Sequence, residues 1–346
     1  MPVPRPLARL LGTGAVAGWP EPGCPCASCA LAAADPRAPW DVRVGAARLP
    51  DPALGVGEHA VVDGVCVRRT APGAWEAGPL DGPRLLLVTA PGPVPAPAGP
   101  YALVLLGDAD PAALAWLRRC GAVGPATDVV AVGLSHRHRP DQLPRELAAV
   151  GVRAVPDGHA LDLVGQPSRP LTPRRTLVLG GARSGKSAVA EGLLAAEPEV
   201  TYVATAPGRP DDPEWDARVQ LHRQRRPAHW RTLETRDLVP LLAAEGPPLL
   251  VDCLALWLTT VLDECRAWDD PRAALPAVRE RQEALVAAWR GTRRRAVAVS
   301  NEVGSGVVPA TPSGRLFRDE LGRLNAAIAA QSEQALLVVA GRVACL

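Results

Sequence analysis

Short apolar runs recur along the whole chain, and what separates them changes character near residue 170. Up to about residue 165 the runs RLLLVTA (84–90), ALVLLG (102–107) and DVVAVGL (128–134) are divided by Pro- and Gly-rich turns. The segment QPSRPLTPR, around 167–175, is polar and broken by prolines, as an interdomain linker would be. Beyond it, strand-like runs alternate with helical patterns. TLVLG is followed by a helix over Lys186–Ala196, VTYVAT by a helix from about Pro213 to Arg223, and RTLE (231–234) comes next. LLVDC (249–253), helices to about Arg290, AVAVSNE (296–302), a helix near 315–330 and ALLVVAG (335–341) complete the series. Apolar strands spaced by helices predict a parallel sheet covered on both faces. The expected organisation is one domain over 1–166, a linker over 167–174 and an α/β domain over 175–346.

Composition narrows this picture. At 346 residues the chain is about twice the common domain size, and 47% hydrophobic with 21% charged residues suits a globular protein rather than a disordered one. A net charge of +2 gives no support to a nucleic-acid or anionic-membrane partner. No run approaches the roughly 18 apolar residues needed to span a bilayer, and the opening MPVPRPLARLLGTG is too broken by Pro and Gly for a secretory segment, so the chain is expected to be cytoplasmic. Eight cysteines in a chain of this length read as thiols or metal ligands, not as a disulfide framework. Lys186 is the only lysine among 38 basic residues. In a chain whose other cations are all arginine, that position calls for a compact ammonium rather than a planar fork.

Lys186 lies in a recognisable pattern. Gly180, Gly181, Ala182, Arg183, Ser184, Gly185, Lys186 and Ser187 spell G-x-x-x-x-G-K-S directly after an apolar strand and before a helix. The glycines let backbone N–H groups turn toward phosphate oxygens, and the helix adds its positive end. Lys186 is expected to reach the β- and γ-phosphates and the Ser187 hydroxyl to ligate Mg²⁺. A chance Gly-rich turn is the bland alternative.

Such a loop needs an acid for the metal. Asp252, at the end of PPLLVDC, is placed for it; a cap on the following LALWL helix is the bland alternative. Glu234 is a second acid at a strand end. The stretch DDPEWDARVQLHRQRRPAHW predicts a helix starting at Asp212–Pro213, with Arg218 and His222 on one face. Its own chemistry is that of a solvated Arg-rich helix with a surface histidine; a histidine beside a phosphate site could also bind or attack phosphate. His229, beyond Pro227, is a rival nucleophile.

GGARSGKS, YVATA (202–206), the Arg218/His222 helix ending in RRPAHW, Glu234, VDCLALWL (251–258), SNEVGSGVVP (300–309) and GRLFRDELGRLN (314–325) together resemble the bifunctional adenosylcobinamide kinase / adenosylcobinamide-phosphate guanylyltransferase family of cobalamin assembly. The resemblance implies a P-loop NTPase fold over 175–346 and two reactions. The γ-phosphate of ATP or GTP passes to adenosylcobinamide; GMP from GTP is then carried on a histidine, here His222, to give adenosylcobinamide-GDP. It implies Mg²⁺ with the nucleotide, catalytic roles for His222 and Lys186, and nucleotide contacts from the P-loop, Thr205, His222, Arg223, Gln224, Arg225, Glu234 and Asp252. A homo-oligomer is expected. Leu221 departs from the family's frequent His-His pair. Arg315, Arg318 and Asn325 match family segments without an assigned role, and Arg315 and Arg318 otherwise read as a solvated helix face.

The N-terminal half has its own likeness. LGTGAVAGWPEPGCPCASCALA (11–32) resembles the opening of metallo-β-lactamase-fold phosphodiesterases of phosphonate breakdown, which implies a truncated or degenerate αβ domain of that fold. Cys24, Cys26 and Cys29 would supply three thiolates to a structural Zn²⁺, the fourth ligand coming from elsewhere. SHRHRPDQ, with His136, His138 and Asp141, is the nearest approach to that fold's dinuclear metal run, with the wrong spacing and no final histidine. The half is therefore expected to lack hydrolase activity.

Overall fold

The computed structural model describes residues 7–90, 97, 99–164, 170–205 and 226–346. The chain divides into two compact units. One runs from the N-terminus to Thr172 with Ala195–Pro198, the other over Pro173–Leu194 and Glu199–Leu346.

The first unit holds β1 (Leu7–Gly12), α1 (Ala27–Ala32), β2 (Asp41–Val44), β3 (Ala47–Leu49), β4 (His59–Val62), β5 (Val65–Ala71), β6 (Ala74–Pro79), β7 (Leu85–Val88), β8 (Leu103–Gly107), α2 (Pro111–Arg119), β9 (Asp128–Val132), α3 (Leu143–Ala149) and β10 (His159–Asp162). Four strands form a sheet in the order β10-β1-β2-β3 and six form a second in the order β4-β5-β6-β7-β8-β9. The second sheet is antiparallel to β7 and parallel from β7 to β9. The three apolar runs are β7, β8 and β9, buried along almost their whole length because neighbours cover both faces. The LGTG turn is structural: Asp157 accepts from the Thr13 amide and hydroxyl, and Arg37 donates to the same hydroxyl at 2.7 Å.

The second unit follows the alternation read from the sequence. It comprises β11 (Arg175–Gly180), α4 (Lys186–Leu194), β12 (Thr201–Ala204), β13 (Arg231–Glu234), α5 (Leu238–Ala243), β14 (Leu249–Asp252), α6 (Leu254–Glu264), α7 (Pro271–Gly291), β15 (Ala296–Asn301), α8 (Pro312–Ala330), β16 (Gln334–Val339) and β17 (Arg342–Cys345). Its seven strands take the order β13-β12-β14-β15-β11-β16-β17, parallel except for β17. β11, β14 and β15 bury consecutive residues, so both faces of the sheet's centre are covered, whereas β13 is an exposed edge. The helix expected over 186–196 stops at Leu194, and α5 and β17 carried no strong signal. β17 forms a hairpin with β16 through Ala340 and Gly341, both at positive φ. Ala is a poor marker for such a turn, which explains the miss. The helix expected from Pro213 to Arg223 lies outside the described residues.

Candidate functional site

The carboxyl ends of β11 and β14 flank that of β15 and bring together the residues expected to handle phosphate. Gly180 closes β11, and there the loop folds so tightly that a Cβ would lie 2.5 Å from Ser184 Oγ and 2.6 Å from the Val338 carbonyl. Arg183 at φ 58 and Gly185 at φ 95 reverse the backbone's hand, the alternation that turns successive amides toward one side. Ser184 is pinned inside, its carbonyl accepting from the Gly341 amide at 2.9 Å, while Gly181, Ala182 and Arg183 are exposed. Lys186 opens α4 and folds back so that Nζ donates to the Gly181 carbonyl at 3.1 Å. The half-buried Ser187 follows on the same first turn, so the helix's positive end and the lysine serve one loop.

Asp252 closes β14. The helix after it, α6, is capped by Cys253 without a side-chain bond, so capping does not account for the aspartate. Its Oδ2 instead accepts from the Tyr202 hydroxyl at 3.1 Å. Thr205, fully buried, braces the same point: the Cys253 amide donates to its Oγ1 at 2.9 Å and that hydroxyl donates to the Cys253 carbonyl at 2.7 Å. The Thr205 hydroxyl is thus committed to the Asp252–Cys253 backbone. Burial pushes the Cys253 thiol up to about 11, which keeps it neutral beside the aspartate.

Strand register sets the remaining acid. Asp252 pairs with Ala204 and Ala204 with Glu234, so the two acids share one row across three strands. Glu234 and Thr205 line a cavity of about 730 Å³, with Arg236, Asp237, Trp257 and Arg281 on its other walls. Its size is that of a small-molecule site. Arg226, which the sequence reading passed over, lays its guanidinium carbon 3.7 Å from the centre of the Tyr202 ring and donates to Thr232 Oγ1 at 3.2 Å. His222, Arg223, Gln224 and Arg225 lie outside the described residues, as does Arg218. His229 is exposed.

Arg315 and Arg318 are not merely a solvated face. Arg315 donates to the Pro309 and Ala310 carbonyls and Arg318 to that of Gly304, so α8 holds the SNEVGSGVVP loop. Asn325, 4% exposed, accepts from Ser300 Oγ at 2.7 Å and donates to the Asn301 carbonyl at 3.0 Å. The loop leaves β15 beside the phosphate loop, where the Glu302 amide donates to the Gly180 carbonyl.

The first unit contains a second cluster. Cys24, Cys26, Cys29 and His136 bring their ligand atoms within 4.8 Å of one another. Cys26 caps α1, its Sγ accepting from the Cys29 amide, and that bond lowers the Cys26 pKa. His136 Nδ1 faces Cys24 Sγ at 3.5 Å and Glu21 Oε2 at 2.8 Å. The loop carrying it is tied to α1 by Ser28, which donates to the His138 carbonyl at 2.6 Å. The SHRHRPDQ run therefore disperses: His136 faces the cysteines, His138 pairs with Asp108, and Asp141 pairs with Arg139.

The family model described as cobinamide kinase / cobinamide phosphate guanyltransferase matches residues 176–346. A Salmonella typhimurium protein named bifunctional adenosylcobalamin biosynthesis protein CobU is 41% identical over 174 residues, 48% of this chain and 95% of that protein. The Pseudomonas aeruginosa bifunctional adenosylcobalamin biosynthesis protein CobP is 45% identical over 172 residues, 48% of this chain and 94% of its own. Among solved structures, Zn(2+)-bound PqqB from Methylobacterium extorquens aligns with 45% of this chain and 99% of its own at 13% identity and a TM-score of 0.33, too slight a likeness to bear on function.

Proposed function

The chain belongs, through residues 176–346, to the cobinamide kinase / cobinamide phosphate guanyltransferase family, and from that premise we propose that it performs both reactions of the family on one phosphate site. In the first, the hydroxyl of adenosylcobinamide attacks the γ-phosphorus of ATP or GTP, the bond to the bridging oxygen breaks, and a nucleoside diphosphate leaves. In the second, a ring nitrogen of His222 attacks the α-phosphorus of GTP and pyrophosphate leaves. A phosphate oxygen of adenosylcobinamide phosphate then takes the GMP, freeing the histidine.

The observation that carries this reading is the curled loop 180–187 with Asp252 two strands away at the same carboxyl end of the sheet. Lys186 and the loop amides hold the triphosphate in place for either attack, and proximity of this kind supplies much of the rate. Ser187 and Asp252 offer hard oxygen donors of the kind Mg²⁺ takes, and the bound ion would neutralise phosphate charge. Glu234 and Thr205 border the cavity in which a nucleotide base or the acceptor would lie.

The cysteine cluster suits zinc by the chemistry of its donors: three thiols and an imidazole make a closed tetrahedral set. Ligand atoms on such an ion stand about 3.7 Å apart, so a modest contraction of the present spacing completes the site. We assign the N-terminal unit a structural Zn²⁺ held by Cys24, Cys26, Cys29 and His136. None of the eight cysteines is paired in a disulfide, which suits the reducing cytoplasm we propose as the chain's location; no helix among the described residues is long and apolar enough to cross a membrane. Assembly into a homo-oligomer belongs to the same reading and is read by light scattering.

Incubation with GTP labelled at the α-phosphate tests the central claim. An acid-labile, base-stable protein adduct that disappears in His222→Ala is expected. A chain that phosphorylates adenosylcobinamide but forms no adduct would be a simple P-loop kinase instead.

A further inference from the structure

Tyr202 is 6% exposed in β12, and nothing in the phosphate chemistry requires a phenol there. Its two ends nevertheless meet two charges of opposite sign. The hydroxyl donates to Asp252 Oδ2 at 3.1 Å, and the ring carries the Arg226 guanidinium at 3.7 Å from its centre. Among the described residues Asp252 Oδ1 has no protein donor, so the tyrosine occupies one carboxylate oxygen and leaves the other for a cation. Arg226 follows His222 by four residues. The guanidinium–ring contact, partly desolvated, holds the Arg226 side chain against β12.

We infer that Tyr202 is a positioning residue for both reactions: its hydroxyl orients Asp252 toward the metal, and its ring seats the Arg226 guanidinium. The inference rests on the reading of Asp252 as a metal ligand. Outer-shell partners that aim a ligating carboxylate typically change metal affinity by about 10- to 100-fold when removed, whereas a residue that only fills the core does not. The two ends are separable by substitution. Tyr202→Phe keeps the ring and removes the donor; Tyr202→Leu removes both.

The test uses the full chain: Mn²⁺ is titrated with α,β-methylene-GTP, whose α–β bridge cannot be broken, by the paramagnetic resonance signal of the free ion, and adduct formation is followed with GTP itself. Tyr202→Phe is expected to weaken Mn²⁺ binding by about 10-fold or more while nucleotide binding in chelator stays unchanged. At saturating metal, Tyr202→Phe should recover GMP adduct formation on His222, and Tyr202→Leu should not, with adduct yield several-fold lower. A Tyr202→Phe titration that overlays the unsubstituted protein overturns the metal half of the inference. Equal adduct yields for the Phe and Leu variants at saturating metal overturn the arginine half. Asp252→Asn separates this from failure of the underlying reading: if it too binds Mn²⁺ normally, Asp252 is no ligand and Tyr202 has nothing to aim.

Discussion

His136 Nδ1 lies 3.5 Å from Cys24 Sγ although 112 residues separate the two along the chain. The contact exists because the chain leaving β9 bonds the LGTG segment through Leu134, and Ser28 bonds the loop carrying the histidine to the short helix α1. An imidazole is thereby delivered to three thiols that lie close together in sequence.

The purified full chain is accordingly expected to hold one zinc per molecule by elemental analysis. His136→Ala should weaken zinc by more than the roughly 10-fold that loss of an outer-shell partner costs, read by competition with a chromogenic chelator. Full zinc retention in that variant would remove His136 from the site.

Gly180→Ala should cripple both reactions. The added methyl meets Ser184 Oγ at 2.5 Å and the Val338 carbonyl at 2.6 Å, and the second is backbone that cannot step aside. A loop displaced by about 1 Å costs on the order of 100-fold in rate. Lys186→Ala should likewise abolish phosphorylation and guanylylation together, followed with γ- and α-labelled GTP. His222→Ala should spare the former.

Asn325→Ala should destabilise the second unit by about 1–3 kcal/mol, because it leaves the buried Ser300 hydroxyl and the Asn301 carbonyl without their partner. Denaturant titration of the full chain reads this. Since Asn301 pairs with Gly180, nucleotide affinity should fall as well.

The Arg175–Glu333 pair joins the start of β11 to the residue before β16, at 2.6 Å. The Arg175 side chain holds the Glu333 carboxyl below its ordinary pKa. A carboxylate whose folded pKa is depressed stabilises above its unfolded pKa and loses that contribution as pH falls through the folded one. Glu333→Gln should therefore lower stability at neutral pH, by less than about 1 kcal/mol because the pair is solvent-screened, and the difference should shrink in acid. A gap that stays constant from pH 7 to pH 3 would contradict the assignment.

How far the sequence alone reaches differs from residue to residue. The phosphate loop was legible because its signal is local: glycine spacing, an apolar strand before and a helix after. The turn Asp63–Gly64 between β4 and β5 carried an equally local hairpin signal, with both residues at positive φ, yet it went unused among so many Gly-rich turns. Asp252 was ambiguous because an acid ahead of a helix serves a cap and a metal site alike. What decides against the cap is the bond from Tyr202, fifty residues away. Arg315 and Arg318 looked like a solvated face because the carbonyls they reach lie in a loop whose path no periodicity predicts.

The linear order of residues thus determined the alternation of strands and helices, the phosphate loop, the trio of cysteines and the family. These are short-range patterns, written within a turn or a strand of one another. Tertiary structure alone decided that His136 joins the cysteines, that Thr205 spends its hydroxyl on the backbone of Cys253, and that Tyr202 stands between a carboxylate and a guanidinium. Those groups are brought within hydrogen-bond reach by sheet register and loop closure, and such proximity is a property of the folded chain that no stretch of it encodes by itself.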